Sequence, residues 1–158
     1  TEPTRWTYLK GISACFASIP HPMGGPAGKS SSMHWSRLAQ REAALRGVDE
    51  AILTRGDDVV EASWSSVLAK REEDQAWMTP PAHAGGLDST TLRLLERRGL
   101  EVERRMFTKS ELLVCDSLVL LSSLSLAVGV AKLEYKEFFM PDAAASEMRR
   151  LILEERIP

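Results

Sequence analysis

Gly24-Gly25-Pro26-Ala27-Gly28-Lys29-Ser30-Ser31-Ser32 sets one lysine between a glycine-rich approach and a polar run that leads into an amphipathic segment. Glycine lets backbone come close to a ligand because no Cβ stands in the way. A lysine amine attacks an aldehyde only after losing its proton, and burial or nearby positive charge eases that loss. The plain alternative is a solvated loop lysine with neither help.

Working outward, three prolines and three glycines make Pro20 to Gly28 a loop. Before it, Trp6 to Ser18 reads as a strand; after it, Met33 to Arg46 reads as a helix ended by Gly47. Glu50 to Thr54 and Val59 to Ser63 are strands joined through the turn Arg55-Gly56-Asp57-Asp58. Ser66 to Lys70 and Ala76 to Thr79 are two more strands, around a charged loop, and Pro80 to Gly86 is another loop. Ser89 to Arg98 is a helix closed by Gly99, Glu101 to Phe107 a strand, and Lys109 to Cys115 a short helix. Strands at Leu118 to Ser122 and Leu126 to Leu133 and a helix at Ala143 to Glu155 complete the chain. The pattern predicts an α+β domain with a mixed, mostly antiparallel sheet and packed helices.

Composition excludes several classes. The 158 residues are 44% hydrophobic and 27% charged, enough for one self-sufficient core. A net charge of −2 gives no basic surface for nucleic acid. The apolar stretch Ser117 to Val130 is broken by serines and too short for a bilayer. Cys15 and Cys115 are far apart and read as buried free thiols in a reducing compartment. The three histidines lack metal-ligand spacing. No signal-peptide pattern opens the chain, so a cytoplasmic location is expected, or an organelle if a targeting segment precedes Thr1.

Three further groups carry polar chemistry. Glu61 ends the apolar run Val59-Val60 after a tight turn, where a solvated strand glutamate is the alternative. Thr90 and Thr91 open a helix, whose free N–H groups and dipole favour an anion. Simple capping by Asp88 or Ser89 is compatible with that. Ser122 and Ser123 end a strand and offer hydroxyl and N–H donors, or only form a turn. Trp35, Trp64 and Trp77 read as core or cleft-wall aromatics, and His34 as a surface, capping or ligand-side residue.

In this order the motifs resemble the large domain of the class IV pyridoxal-phosphate enzymes. That family includes branched-chain aminotransferases, D-amino-acid transaminases and 4-amino-4-deoxychorismate lyases. The resemblance runs from about Ile12 to the C-terminus and includes Arg46-Gly47-Val48-Asp49-Glu50-Ala51 after the lysine helix. It implies that Lys29 holds pyridoxal 5'-phosphate through a Schiff base and moves the proton at the substrate α-carbon. Glu61 would sit beside the ring nitrogen and keep it protonated, since opposite charge favours the charged form. Ser66 stands where the family has an asparagine, while Thr90, Thr91, Ser122 and Ser123 would hold the phosphate. Ser89 replaces a glycine and Leu92 an arginine, with Arg93 one place late. A serine adopts positive φ less readily than glycine, so weaker cofactor binding is expected from Ser89.

Leu124 leans toward the lyase-like branch, with a D-amino-acid or branched-chain transaminase as the alternative. The implied partners are an amino acid-like small molecule and a second copy in a homodimer. Family members also carry a smaller N-terminal domain that these 158 residues lack, so residues 1–158 read as the C-terminal cofactor-binding domain. A non-catalytic remnant serving as a structural or interaction domain is the reading from another class.

Overall fold

The computed structural model describes residues 9–22 and 34–154. Lys29 lies outside them, so its role is argued below from its described neighbours. In chain order the elements are β1 (Ile12–Phe16), α1 (His34–Leu45), β2 (Glu50–Arg55), β3 (Asp58–Ala62), β4 (Ser66–Lys70), β5 (Trp77–Thr79), a 3-10 turn (Ala82–Ala84), α2 (Thr90–Arg97), β6 (Val102–Arg104), α3 (Lys109–Leu113), β7 (Ser117–Ser122), β8 (Leu126–Leu133), β9 (Lys136–Glu137) and α4 (Pro141–Leu153).

The strands form one sheet in the order β3-β2-β1-β8-β7-β4-β5-β6, with β9 paired to β8. Among the described residues, β1 is parallel to both β2 and β8, and β5 is parallel to β6; the other five pairings are antiparallel. Both β1–α1–β2 and β5–α2–β6 therefore use a helix to return the chain to a parallel neighbour. The sheet curls until its two edges meet. Val59 N–H donates to the Phe107 carbonyl at 3.0 Å, and Asp58 bridges Thr108, joining β3 to the segment after β6. This closure shortens the expected strand Glu101 to Phe107, which leaves the β5 ladder after Arg105 to cross onto β3.

Period-two alternation divides the strands between two sides. Val67, Ala69, Leu118, Leu120, Ile52 and Ala14 face the interior of the curl, with Phe107 and Leu112. Their neighbours Leu68, Val119 and Leu121 face outward, in one cluster with Leu92 and Leu95 of α2 and Ala145 and Met148 of α4. Cys15, Ala51 and Leu53 face outward under Ala39 and Ala43 of α1. Both cysteines are free and buried, and burial pushes the Cys115 thiol up to about 11, so neither is a ready nucleophile.

Two glycines matter for position. Gly56, at φ +59, is the first central residue of the two-residue turn between β2 and β3, where a primed hairpin turn requires positive φ. Gly129 lets α4 start directly on β8, because a Cβ there would lie 1.8 Å from the Pro141 carbonyl oxygen. No helix among the described residues is long and apolar enough to cross a membrane.

Glu50 opens β2 as a buried carboxyl that accepts from Ser63 Oγ and, at 2.8 Å, from Ala51 N–H. This ties the segment just after β3 to the start of β2. Burial raises the Glu50 carboxyl above the ordinary glutamate range, against its hydrogen bonds. The folded-state value thus exceeds the unfolded one, so this contribution to stability is full below the ordinary glutamate range. It is lost as pH rises through the folded value. Glu50→Gln keeps the acceptor and removes the charge. Melting curves taken from acid to neutral pH are expected to show the wild type losing stability relative to the variant; parallel curves would count against a raised Glu50.

Candidate functional site

The position of Glu61 depends on an irregularity in β3. Val59 pairs with Thr54 and Ala62 with Ile52, and both Val59 and Ala62 reach the inner core. A regular strand with Val59 inward would put Glu61 inward too. The register shift at Val60 adds one residue, and Glu61 pairs with Leu53 on the outer face instead. A bulge of this kind re-aims one side chain without breaking the sheet. Glu61 then lines a cleft together with Ser66, Leu87, Asp88, Ser89 and Arg104.

The carboxylate is gripped from two sides. Oε1 lies 3.1 Å from His21 Nε2, and Oε2 accepts from Leu87 N–H at 2.9 Å. Its side chain is 14% exposed and borders the cleft. The Leu87 contact needs close backbone approach at Gly85-Gly86. Gly85 has φ +110, and a Cβ on it would sit 2.8 Å from Arg55 Nη2; a Cβ on Gly86 would meet the Val60 carbonyl at 3.2 Å. Arg55 Nη2 donates to the Pro22 carbonyl at 3.1 Å. Among the described residues, Arg55 Nε is buried without a partner.

The opposite wall is the start of α2. Ser89 is the N-cap, with φ −72 and its hydroxyl accepting from Leu92 N–H at 3.2 Å. Ser89 thus caps the helix, as its sequence position allowed, and no positive φ is required of it. Thr90 is exposed and Thr91 buried, and their N–H groups belong to the first turn, which intrahelical bonding leaves open. Asp88 brings a negative charge beside that turn, but Arg93 pairs with it and holds its carboxyl below the usual range. Arg93 thus serves Asp88, not the place of the arginine that Leu92 replaces. Arg104 clasps Glu96 through both terminal nitrogens and likewise lowers its carboxyl.

Ser66 opens β4 and pairs with Leu121, which brings Ser122 to the same end of the sheet. Ser122 Oγ accepts from Ser125 N–H at 3.0 Å and lies 2.6 Å from Ser125 Oγ, so it also forms the β7–β8 turn; Ser123 and Leu124 are exposed there. Trp77 is core, one of the two expected places, whereas Trp64 is 45% exposed. His34 is exposed at the first described position of α1. Sequence reasoning passed over His21 and Arg104. For His21 the available signal was an isolated histidine at the edge of the glycine-rich loop; for Arg104 there was none.

Lys29 lies between Pro22 and His34 in the sequence. The described residues on either side of it in the sequence meet at His21. His21 touches the Glu61 carboxylate, and the Trp35 ring packs edge-on against His21 with centroids 6.2 Å apart.

The family model for class IV aminotransferases matches residues 1–133. No curated protein sequence matches the chain. Solved structures do. A fold IV transaminase from Curtobacterium pusillum is 25% identical with a TM-score of 0.79, over 98% of this chain and 58% of its own. A branched-chain aminotransferase from the thermophilic archaeon Thermoproteus uzoniensis, solved with norvaline, is 22% identical with a TM-score of 0.80, over 94% and 54%. A Legionella pneumophila protein assigned as a 4-amino-4-deoxychorismate lyase is 20% identical with a TM-score of 0.79, over 90% and 55%. The chain thus spans little more than half the length of each.

Proposed function

The chain belongs to the class IV aminotransferase family, and from that premise we propose that it is the cofactor-binding domain of a pyridoxal-phosphate-dependent enzyme. Its substrate is an amino acid-like molecule, and its reaction is closer to that of a 4-amino-4-deoxychorismate lyase than to transamination. The observation that carries the reading is Glu61, turned into the cleft by the bulge at Val60 and fixed between His21 and Leu87.

The residues present fit the cofactor. A fixed carboxylate suits a pyridine nitrogen, and the first turn of α2 suits a phosphate. Gly86 leaves open the space beside Glu61 Oε2 that a Cβ would enter, at 3.4 Å. When bound, pyridoxal phosphate supplies an electron sink for the charge left at the substrate α-carbon. Glu61 keeps the proton on the ring nitrogen. The N–H groups of Thr90 and Thr91 orient the phosphate, with Ser122 and Ser123 at the end of β7. Lys29 Nζ takes the proton from the α-carbon.

The lean toward a lyase rests on Leu124. The transaminase alternative, branched-chain or D-amino-acid, keeps its place because a branched-chain aminotransferase and a protein assigned as a lyase share this fold. Two measurements separate the readings. Adding pyridoxal phosphate to the purified chain is expected to produce a visible absorption band; its absence at saturation favours a non-catalytic domain. With the full-length enzyme, aminodeoxychorismate is expected to give aminobenzoate and pyruvate with no keto acid present. Turnover that stops after one equivalent until a keto acid is added identifies a transaminase.

A further inference from the structure

We propose that His21 is a positioning residue: it holds the Glu61 carboxylate in the one orientation that faces the cleft. The inference rests on the reading of Glu61 as the partner of the cofactor ring nitrogen, but its central contact exists without cofactor.

His21 is 4% exposed and held on every side. Its N–H donates to the Thr54 carbonyl at 2.8 Å, which pins its backbone to β2. Trp35 meets its ring at an interplanar angle of 65°, fixing the ring plane. Its Nδ1 lies 3.1 Å from the Pro22 carbonyl and its Nε2 3.1 Å from Glu61 Oε1. Both neighbours only accept. Arg55 already donates to the Pro22 carbonyl, so that oxygen is satisfied without the histidine. A single ring proton is therefore free to sit on Nε2 and point at Glu61. A histidine that only filled space would need no acceptor there.

Without this contact Glu61 keeps one anchor, Leu87 N–H on Oε2. A carboxylate held at one oxygen rotates about its last bond, and its charge no longer faces one point in the cleft. With both anchors, the segment just before the glycine-rich loop, the β3 bulge and the Gly85–Leu87 turn are locked together through a single side chain.

The test uses His21→Phe, which keeps a ring against Trp35 and removes the N–H donor to Glu61, and His21→Gln, which returns an N–H donor. In the chain without cofactor, amide hydrogen exchange at Leu87 is expected to be about tenfold faster in His21→Phe, as loss of a hydrogen bond to a charged group implies. His21→Gln is expected to restore most of the protection. With cofactor labelled at its ring nitrogen, NMR is expected to shift toward the unprotonated form in His21→Phe, and Glu61→Gln added to His21→Phe is expected to change little more. Unchanged Leu87 exchange in a folded His21→Phe overturns the proposal. So does full loss of protection in His21→Gln together with an unshifted ring nitrogen. If Glu61→Gln alone leaves the ring-nitrogen signal unmoved, the functional reading fails while Leu87 exchange still judges His21. Should His21→Phe not fold, His21→Asn, too short to reach Glu61, replaces it with the same expectations.

Discussion

Lys29→Ala is expected to abolish covalent capture of pyridoxal phosphate and with it essentially all turnover. Borohydride reduction of the loaded wild type, followed by peptide mapping, is expected to place the label on Lys29 and to find none in the variant. The chain's other lysines help to decide this. Lys70 donates to the Gln75 carbonyl at 3.0 Å and lies over the Trp77 ring, and Lys109 lies over the Phe16 ring. Lys70 also ends β4, the far end from Ser66. His21 and Trp35, on either side of Lys29 in the sequence, pack on each other, and His21 also touches Glu61. A label on Lys10, Lys70 or Lys109, or no label at saturating cofactor, sinks this assignment.

The parts of the fold that local chemistry dictates were legible in the sequence. The β2–β3 hairpin follows from Gly56-Asp57 between two apolar runs, and α2 ends where Gly99 follows it. The apolar run of β7 reads as a strand because both its faces are covered. Pairing across the chain was not legible. Nothing near Ile12 announces that β1 lies between β2 and β8, parallel to each, since that depends on residues far along the chain. The shortening of β6 came from the same source, the crossing of Phe107 onto β3.

At the site, Glu61 could be named from its motif, but the bulge that aims it could not. Two consecutive valines fit a regular strand as well as a bulged one, and only the register with β2 decides. Capping by Ser89 was legible, whereas its backbone angle was not. At φ −72 a serine is a good cap. His21 escaped notice because its partner is forty positions away.

Glu61→Gln is expected to leave the fold and cofactor binding in place while slowing turnover about a hundredfold, corresponding to roughly 3 kcal/mol of lost charge stabilisation. The argument begins with shape. Glutamine has nearly the same volume, its carbonyl oxygen can accept from Leu87 N–H as Oε2 does, and its amide can donate to His21 Nε2 once the ring proton moves to Nδ1, which faces the Pro22 carbonyl. The bulge at Val60 is a property of the backbone register and stays. What disappears is the negative charge, and a neutral amide does not hold a proton on a pyridine nitrogen as a carboxylate does. Kinetics separate this from a folding defect. A loss confined to kcat, with the melting temperature and cofactor affinity close to wild type, is the expected signature. Glu61→Asp tests the same point from the other side: the charge stays, but one methylene is lost and the contact with Leu87 lengthens, so an intermediate rate is expected. Wild-type turnover in Glu61→Gln would leave Glu61 as a strand residue that happens to border the cleft, and the functional reading built on it would fall.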